Sequence, residues 1–207
     1  MSDYTAKPRL TVIAGMTGSG KTTLAFEYIK KSPVACRFIF DDQGQAAYRL
    51  KLPLVGTERE MERALATRWV CYNPHVMFPG DLDGAARFFW HWSFNASKRG
   101  PGWKQILMDE IWRFQDRDKI PKELAVIAQM GRVERLELIA PTQVPHKIND
   151  SITGSSTELI CFRLDESIQL RKIADLGAPA ERVQNLPLGS FLSINRLTRE
   201  ITPGKIF

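Results

Sequence analysis

The sequence has no run of apolar residues long enough to cross a bilayer, although 43% of its 207 residues are hydrophobic. Its first residues, MSDYTAKPR, include an acidic side chain and no apolar stretch, which is unlike a secretory signal. We therefore expect no membrane-spanning segment and no secretory leader.

Cysteine is scarce as well. Cys36, Cys71 and Cys161 are far apart, odd in number and set mostly among apolar residues. Disulfide frameworks and zinc sites use even or closely spaced sets. We therefore expect small buried thiols in a reducing compartment. His91 has no Cys or His partner at metal-binding spacing, so no metal ligand is predicted there.

Internal repeats, low-complexity tracts and blocks of like charge are also absent, and the length fits one domain. We expect residues 1–207 to form a single domain, with a core over about 8–165 and C-terminal helices and a hairpin over about 166–207. The net charge of +6 and the pI near 9.3 suit a polyanionic partner without identifying one.

What the sequence does have is an alternation of short apolar segments with stretches of helical periodicity. Strands are predicted over 10–14, 34–40, 68–72, 105–108, 136–140 and 159–164. Helices are predicted over 22–30, 58–66, 81–96, 122–130 and 166–176 and after Pro179, with Gly131 as a C′ glycine. A hairpin is predicted from 190–195 and 200–202. Because most strands are apolar throughout, the fold class is α/β, with a mostly parallel central sheet flanked by helices.

Residues 15–22, GMTGSGKT, match the pattern G-x-x-x-x-G-K-[ST] between a predicted strand and a predicted helix. Glycines let the backbone curl around phosphates, and the helix N-terminus adds the positive end of its dipole. In this motif the lysine reaches the β and γ phosphates, and the hydroxyl of the last residue ligates Mg²⁺. A chance glycine turn is the alternative. The residues predicted to bind ATP are Gly15, Met16, Thr17, Gly18, Ser19, Gly20, Lys21, Thr22 and Thr23, with Thr22 at Mg²⁺.

The strand predicted over 105–108 runs into two acids, Asp109 and Glu110. Such a strand end places one carboxylate near Mg²⁺, so Asp109 is assigned to the ion, directly or through water. Glu110 is assigned as the general base that polarises the attacking water. Strands often end in acids, so this assignment depends on the phosphate loop. The adjacent glutamate, and the absence of N-K-x-D, argue against P-loop kinases and GTPases.

A third motif is Thr142-Gln143, between Pro141 and Pro145, at the end of the strand predicted over 136–140. Together with the phosphate loop and LMDE at 107–110, it resembles the FtsK–HerA group of additional-strand (RecA/ASCE-like) P-loop ATPases. Gly131-Arg132, LICFRLD at 159–165, LPLG at 186–189 and FL at 191–192 are similar to that group too. Ala140-Pro141 replaces the small pair that is more usual before Thr-Gln. The resemblance runs from about residue 10 to 192.

The resemblance implies specific roles for two residues. Gln143 would sense the γ-phosphate, because in the sheet order of this group its strand lies next to the phosphate-loop strand. Such ATPases form rings, usually hexamers, around DNA with ATP between neighbours. Arg132 lies where the group's trans-acting arginine falls, with Arg135 and Arg163 as fallbacks. A cation that stabilises a helix C-terminus is the alternative reading of Arg132. The predicted catalytic residues are thus Lys21, Glu110, Gln143 and Arg132.

Two further groups of side chains have competing interpretations. A set of basic residues would contact DNA phosphates in a ring channel, or would form a solvated charged face. This set is Lys98, Arg99, Arg113, Arg117, Lys119 and Lys122. The aromatic segment FFWHWSF at 88–94 is interpreted as core or subunit interface in preference to base stacking.

We expect the chain to consist almost only of the ATPase core, with no anchor and no added barrel. In this it resembles the genome-packaging ATPases of tailless, internal-membrane icosahedral dsDNA viruses. That resemblance implies a ring motor that moves double-stranded DNA into a preformed capsid, with capsid portal-vertex proteins as partners, in the host cytoplasm or at the virion packaging vertex. The alternatives are a DNA or protein export ATPase and a non-hydrolysing, nucleotide-binding subunit of the capsid vertex.

Overall fold

A computed structural model describes residues 10–115 and 119–206. Within these ranges the strands are β1 (Leu10–Ala14), β2 (Cys36–Phe40), β3 (Leu54–Val55), β4 (Trp69–Tyr72), β5 (Lys104–Met108), β6 (Leu136–Thr142), β7 (Glu158–Phe162), β8 (Ser190–Asn195) and β9 (Ile201–Lys205). The α-helices are α1 (Lys21–Lys31), α2 (Gln45–Leu50), α3 (Glu58–Ala64), α4 (Leu82–Ser97), α5 (Lys122–Met130), α6 (Asp150–Ser155), α7 (Ser167–Asp175) and α8 (Ala180–Gln184). Short 3-10 helices cover Leu65–Thr67, Ile111–Phe114 and Pro145–Lys147.

The nine strands form one sheet in the order β3-β4-β2-β5-β6-β1-β7-β8-β9 within the described ranges. The pairs β1–β7, β2–β4, β2–β5 and β3–β4 are parallel, whereas β7–β8 and β8–β9 are antiparallel. The predicted α/β class, with a mostly parallel sheet and a C-terminal hairpin, is therefore confirmed. The prediction that the Gln143 strand lies beside the phosphate-loop strand is confirmed too, because β6 neighbours β1.

The chain divides into two compact units. The first unit comprises the described parts of 1–25, 109–120 and 139–207, and the second unit comprises 26–108 and 121–138. In the first unit, Arg196 follows β8 and ties the hairpin to the ends of α6 and α7. Its guanidinium donates to Leu176 O at 3.1 Å and to the Ser156 carbonyl and hydroxyl at 2.8 and 2.6 Å. Burial lowers the pKa of Arg196, so these acceptors stabilise a partly desolvated cation.

In the second unit, β2 lies between β4 and β5, and α4 supplies its largest core side chains. Phe89 and Trp90 are fully buried and Trp92 is 4% exposed. Trp92 meets Phe38 of β2 edge to face, with ring centroids 5.4 Å apart. Burying rings of this size contributes about 1.5–3 kcal/mol each, and none of the three is available to stack on bases. The core interpretation of these three residues is confirmed.

The three cysteines are free and buried, as the sequence predicts. Burial raises the pKa of each thiol, that of Cys36 to about 11. Because only the thiolate is a good nucleophile or metal ligand, these residues act as small apolar side chains at neutral pH.

Among the described residues, two α-helices (α2 and α6), the strand β3 and the 3-10 helices were not predicted, and all of these elements are short. β6 also continues to Thr142, two residues past the predicted end at Ala140. Pro141 has no N–H, but its carbonyl accepts a hydrogen bond from Glu110 N at 2.9 Å, so the strand keeps a partner across the proline.

Gly131 ends α5, but the predicted left-handed C′ conformation is wrong. Its φ is −53° and ψ −36°, while Arg135 has a φ of 54°. Glycine is required here by close packing, because a Cβ atom would lie 2.5 Å from Ile127 O and 2.8 Å from Leu136 O.

Candidate functional site

The phosphate-loop motif lies in the first unit, between the end of β1 and the start of α1. Gly15 N donates to Thr142 O at 3.1 Å, and Met16 N donates to Arg163 O at 3.0 Å. These bonds tie the start of the loop to the last residue of β6 and to the residue that follows β7. Gly18 and Gly20 have φ of 75° and 104°, a region that residues with a Cβ rarely adopt. The motif therefore has the curled backbone that a phosphate cradle needs.

Two loop residues, Ser19 and Lys21, are buried polar groups. Ser19 is 1% exposed, and its hydroxyl has no hydrogen-bond partner among the described residues. Lys21 is 5% exposed, and burial lowers the pKa of its amine. Glu110 and then Asp109 act in the opposite direction and raise it. A phosphate group fits this donor set, because its oxygens would accept from both residues.

Several other residues of the predicted ATP-binding stretch are accessible, although Gly15 is buried. Met16, Thr17 and Gly18 are exposed, Thr22 is half-buried on the first turn of α1, and Thr23 is exposed. No group of three or more His, Cys, Asp or Glu that could hold a metal ion occurs in the described part of the chain. Mg²⁺ in nucleotide sites is bound by one or two protein oxygens together with substrate phosphates and water, so Thr22 and Asp109 form a donor set that suits it.

Glu110 has a strained backbone, with φ 50° and ψ 47°. This left-handed conformation costs a residue with a Cβ roughly 1–2 kcal/mol. It is held by Glu110 N, which donates to Pro141 O at 2.9 Å and to Asp109 Oδ1 at 3.0 Å. Backbone strain of this kind concentrates at functional sites because it aims a side chain.

The Glu110 carboxylate accepts hydrogen bonds from three residues. Trp112 Nε1 lies 2.5 Å and Thr142 Oγ1 3.1 Å from Oε2. Gln143 N lies 2.9 Å from Oε1 and 3.1 Å from Oε2. The carboxylate is therefore fixed at the end of β6.

Gln143 is exposed at the end of β6, and its side-chain carbonyl accepts from Thr17 Oγ1 at 2.7 Å. No hydrogen bond of its side-chain amide nitrogen, Nε2, occurs among residues 10–115 and 119–206. The structure thus brings together three of the predicted residues in the first unit: the loop contacts Gln143, whose main chain contacts Glu110.

The three candidate arginines are distributed differently. Arg132 is exposed in the second unit, just past α5, where the sequence predicts it. Arg135 is also exposed there. Arg163 lies in the first unit, and its Nε donates to Asp165 Oδ1 at 2.9 Å. A role in a neighbouring subunit stays a prediction for each of them.

The predicted DNA contacts also fall in both units. In the second unit, Lys122 is exposed, Lys98 lies 4.4 Å from the centroid of the Phe94 ring, and Arg99 pairs with Glu62. In the first unit, Lys119 is exposed and Arg113 lies 5.3 Å from the Phe114 ring centroid. Arg117 lies outside the described residues.

Three contacts of the site could not be found by sequence reasoning. Trp112 lies two residues after Glu110 and donates to it only because the chain turns through a 3-10 helix. Thr142 and Thr17 were noticed as motif members, but nothing in their spacing shows that they bind Glu110 and Gln143.

Among the described residues no helix is long and apolar enough to span a membrane.

Solved structures of low sequence identity have the same fold. The genome packaging NTPase B204 from Sulfolobus turreted icosahedral virus 2, in complex with AMPPCP, matches with a TM-score of 0.77 at 19% identity, over 96% of this chain and 98% of that one. VirB4 of Thermoanaerobacter pseudethanolicus matches with a TM-score of 0.69 at 11% identity, over 100% of this chain and 91% of that one. The cytoplasmic domain of the Thermomonospora curvata type VII secretion ATPase EccC has a TM-score of 0.63 at 12% identity, over 95% of this chain and 25% of that one.

No family model and no curated protein matches the sequence. At such identities the structural matches establish the fold. The chain therefore has the fold of the genome packaging NTPase B204 and of VirB4, as its resemblance to the FtsK–HerA group of P-loop ATPases predicts.

Proposed function

We propose that the chain is an ATPase that binds Mg²⁺ and ATP at residues 15–23 and hydrolyses the bond between the β and γ phosphates. The observation that carries this proposal is the chain of contacts from Thr17 of the loop to Gln143, and from Gln143 N to the Glu110 carboxylate. In this arrangement a phosphate loop, a base and a sensor belong to the same compact unit.

Each residue has a role that its chemistry allows. Lys21 carries positive charge to the β and γ phosphates, and Glu110 accepts the proton of the attacking water. The side-chain amide nitrogen of Gln143, Nε2, donates to the water or to the γ-phosphate. Thr22 and Asp109 would hold Mg²⁺, which neutralises phosphate charge when bound. General-base catalysis of this kind contributes about 10²–10⁴-fold to the rate.

The direct test of the loop assignment replaces Lys21 with alanine. We expect loss of ATP binding or turnover, because the buried ammonium is the cation of the cradle. Lys30→Ala is the matched control, since Lys30 is an exposed lysine on the same helix, paired with Glu27 at 2.8 Å. If Lys21→Ala bound and hydrolysed ATP like the control, the site assignment would be wrong.

We further propose that hydrolysis drives double-stranded DNA into a preformed capsid. The shared fold with a protein described as a genome packaging NTPase supports this, as does the net charge of +6. In this proposal residues 1–207 act as one ATPase domain in a homo-oligomeric ring, with a hexamer favoured. The ring would work with portal-vertex proteins at the virion packaging vertex or in the host cytoplasm.

An export or secretion ATPase is the second candidate, favoured by the fold shared with VirB4 and the type VII secretion ATPase EccC. Steady-state ATPase assays with duplex and single-stranded DNA separate the two. A packaging motor is expected to bind duplex DNA at low salt and to be stimulated by it. Absence of both effects would contradict packaging and leave the export function.

The predicted trans role of Arg132 requires a mixing experiment. Subunits carrying Arg132→Ala and subunits carrying Glu110→Gln are each expected to be inactive alone. If the arginine completes a neighbour's site, mixed rings regain part of the activity, because some interfaces contain an intact Arg132 and an intact Glu110. No rescue would favour the role of a helix C-terminal cation.

A further inference from the structure

Trp112 makes a close contact with the proposed base. It lies in the 3-10 helix Ile111–Phe114, half-buried, and its indole Nε1 donates to Glu110 Oε2 at 2.5 Å. The indole nitrogen is a donor only, so the direction of this hydrogen bond is unambiguous. A hydrogen bond to a charged group is roughly twice as strong as one between neutral groups.

The Glu110 carboxylate has three donors around it and can accept one further hydrogen bond, from a water molecule. An ionised carboxylate has about four lone-pair sites. Trp112 Nε1 and Thr142 Oγ1 donate to Oε2, and Gln143 N donates to both oxygens, at 2.9 Å from Oε1 and 3.1 Å from Oε2. The remaining site is on Oε1, which among the described residues has only Gln143 N as a donor. The indole thus decides which oxygen is left for catalysis.

The indole is itself held in place. Lys147 Nζ lies 4.4 Å from the centroid of the Trp112 ring, over its face. Lys147 belongs to the 3-10 helix Pro145–Lys147, which follows Gln143 in the chain. The ring is therefore bound through its edge to Glu110 and through its face to the segment after the sensor. A cation in this position stabilises the ring by about 0.5–1 kcal/mol at an exposed site.

We propose that Trp112 is a positioning residue for ATP hydrolysis: its N–H fixes the Glu110 carboxylate so that Oε1 faces the attacking water. This inference rests on the proposed ATPase function. A free glutamate side chain has several rotamers, and a general base must lie about 2.6–3.2 Å from the oxygen whose proton it removes. Misplacement by about 1 Å lowers a rate by on the order of 100-fold.

The test is Trp112→Phe, which keeps an aromatic ring for Lys147 and removes the donor. We expect kcat for ATP to fall about tenfold or more, equivalent to about 1.4 kcal/mol in the barrier. The Kd for ATP should stay within about twofold, because Trp112 contacts the base and not the phosphate loop. A loss confined to kcat distinguishes positioning from a general structural defect.

The matched control is Trp92→Phe in the second unit. Trp92 Nε1 also donates to a carboxylate, Glu62 Oε1, at 2.9 Å, but in a different part of the fold. Its replacement should lower the melting temperature and leave kcat unchanged. If Trp92→Phe lowers kcat as much as Trp112→Phe does, the effect is one of stability and the inference is wrong.

A second replacement covers the case in which phenylalanine disturbs folding. Incorporation of 3-benzothienylalanine at position 112 preserves the shape of the indole and replaces only its N–H with sulfur. We expect the same loss of kcat. Wild-type kcat in this variant would overturn the inference about Trp112 and leave the proposed ATPase function standing. A wild-type chain that binds ATP without turnover would refute the proposed function as well.

Discussion

Gly15 opens the phosphate loop, and the structure gives a steric reason for glycine there. Its φ lies in the ordinary negative region, so alanine could adopt the backbone conformation. A Cβ atom, however, would lie 2.6 Å from Ser19 Oγ and 2.7 Å from Phe162 Cβ. Phe162 Cβ is attached directly to the buried strand β7 and cannot rotate away. Gly15→Ala must therefore displace the loop or the end of β7.

The magnitude follows from two opposing effects. Overpacking a close contact of this kind costs about 1–3 kcal/mol. Replacing glycine with alanine recovers about 0.4–1 kcal/mol, because the unfolded chain loses entropy. We expect a net destabilisation of about 1–2 kcal/mol. A domain of this size changes its melting temperature by about 2–4 °C for each kcal/mol, so Tm should fall by roughly 2–8 °C.

Calorimetry and an ATP titration test this prediction against a matched glycine. Gly154 lies on α6, and a Cβ atom added there meets no atom within 4 Å. Gly154→Ala should therefore stabilise the chain by about 0.5–1 kcal/mol through helix propensity and leave ATP binding unchanged. Gly15→Ala should lower both Tm and ATP affinity. If Gly15→Ala matched Gly154→Ala in Tm, the steric argument would be refuted.

Two further predictions follow from the described contacts. Burial lowers the pKa of Lys21 while Glu110 and then Asp109 raise it. ATP affinity should therefore be full below that pKa and fall as pH rises through it. Glu110→Gln should move the midpoint to lower pH, more than Asp109→Asn does, as measured by ATP titrations from pH 7 to 10; no movement would contradict the proximity of the groups. Gly131→Ala should lower the urea midpoint, because overlap with Ile127 O and Leu136 O outweighs the gain in helix propensity of about 1 kcal/mol. A higher midpoint would contradict this.

Local patterns of apolar residues, proline and glycine predicted the bounds of some strands and helices correctly. β1 and α5 have their predicted bounds, because an apolar run between Pro and Gly, and a helical period ending at glycine, are strong signals. The phosphate-loop motif at 15–22 was recognised because the chemistry that it predicts requires consecutive residues. Short elements such as α2 and β3 depend on tertiary packing, and their sequences have too few residues for a period to be recognised.

The contacts that link parts distant in sequence could not be predicted residue by residue. The contact between Thr17 and Gln143 spans 126 positions, and the strand order that brings β6 beside β1 came only from a family resemblance. Gly131 was assigned a left-handed conformation from its place after a helix, whereas its actual constraint is the carbonyl oxygen of Leu136. Trp112 belongs to no sequence motif. Its contact with Glu110 arises because the chain turns through the 3-10 helix Ile111–Phe114.

The central claim is that Glu110 is the base of an ATP-hydrolysing site, and the turnover of Glu110→Gln at saturating Mg²⁺ and ATP tests it most directly. Glutamine has nearly the same shape and cannot accept the water's proton at neutral pH. We predict ATP binding close to that of the wild type and phosphate release lower by about 100-fold or more. Wild-type phosphate release by Glu110→Gln would contradict the account.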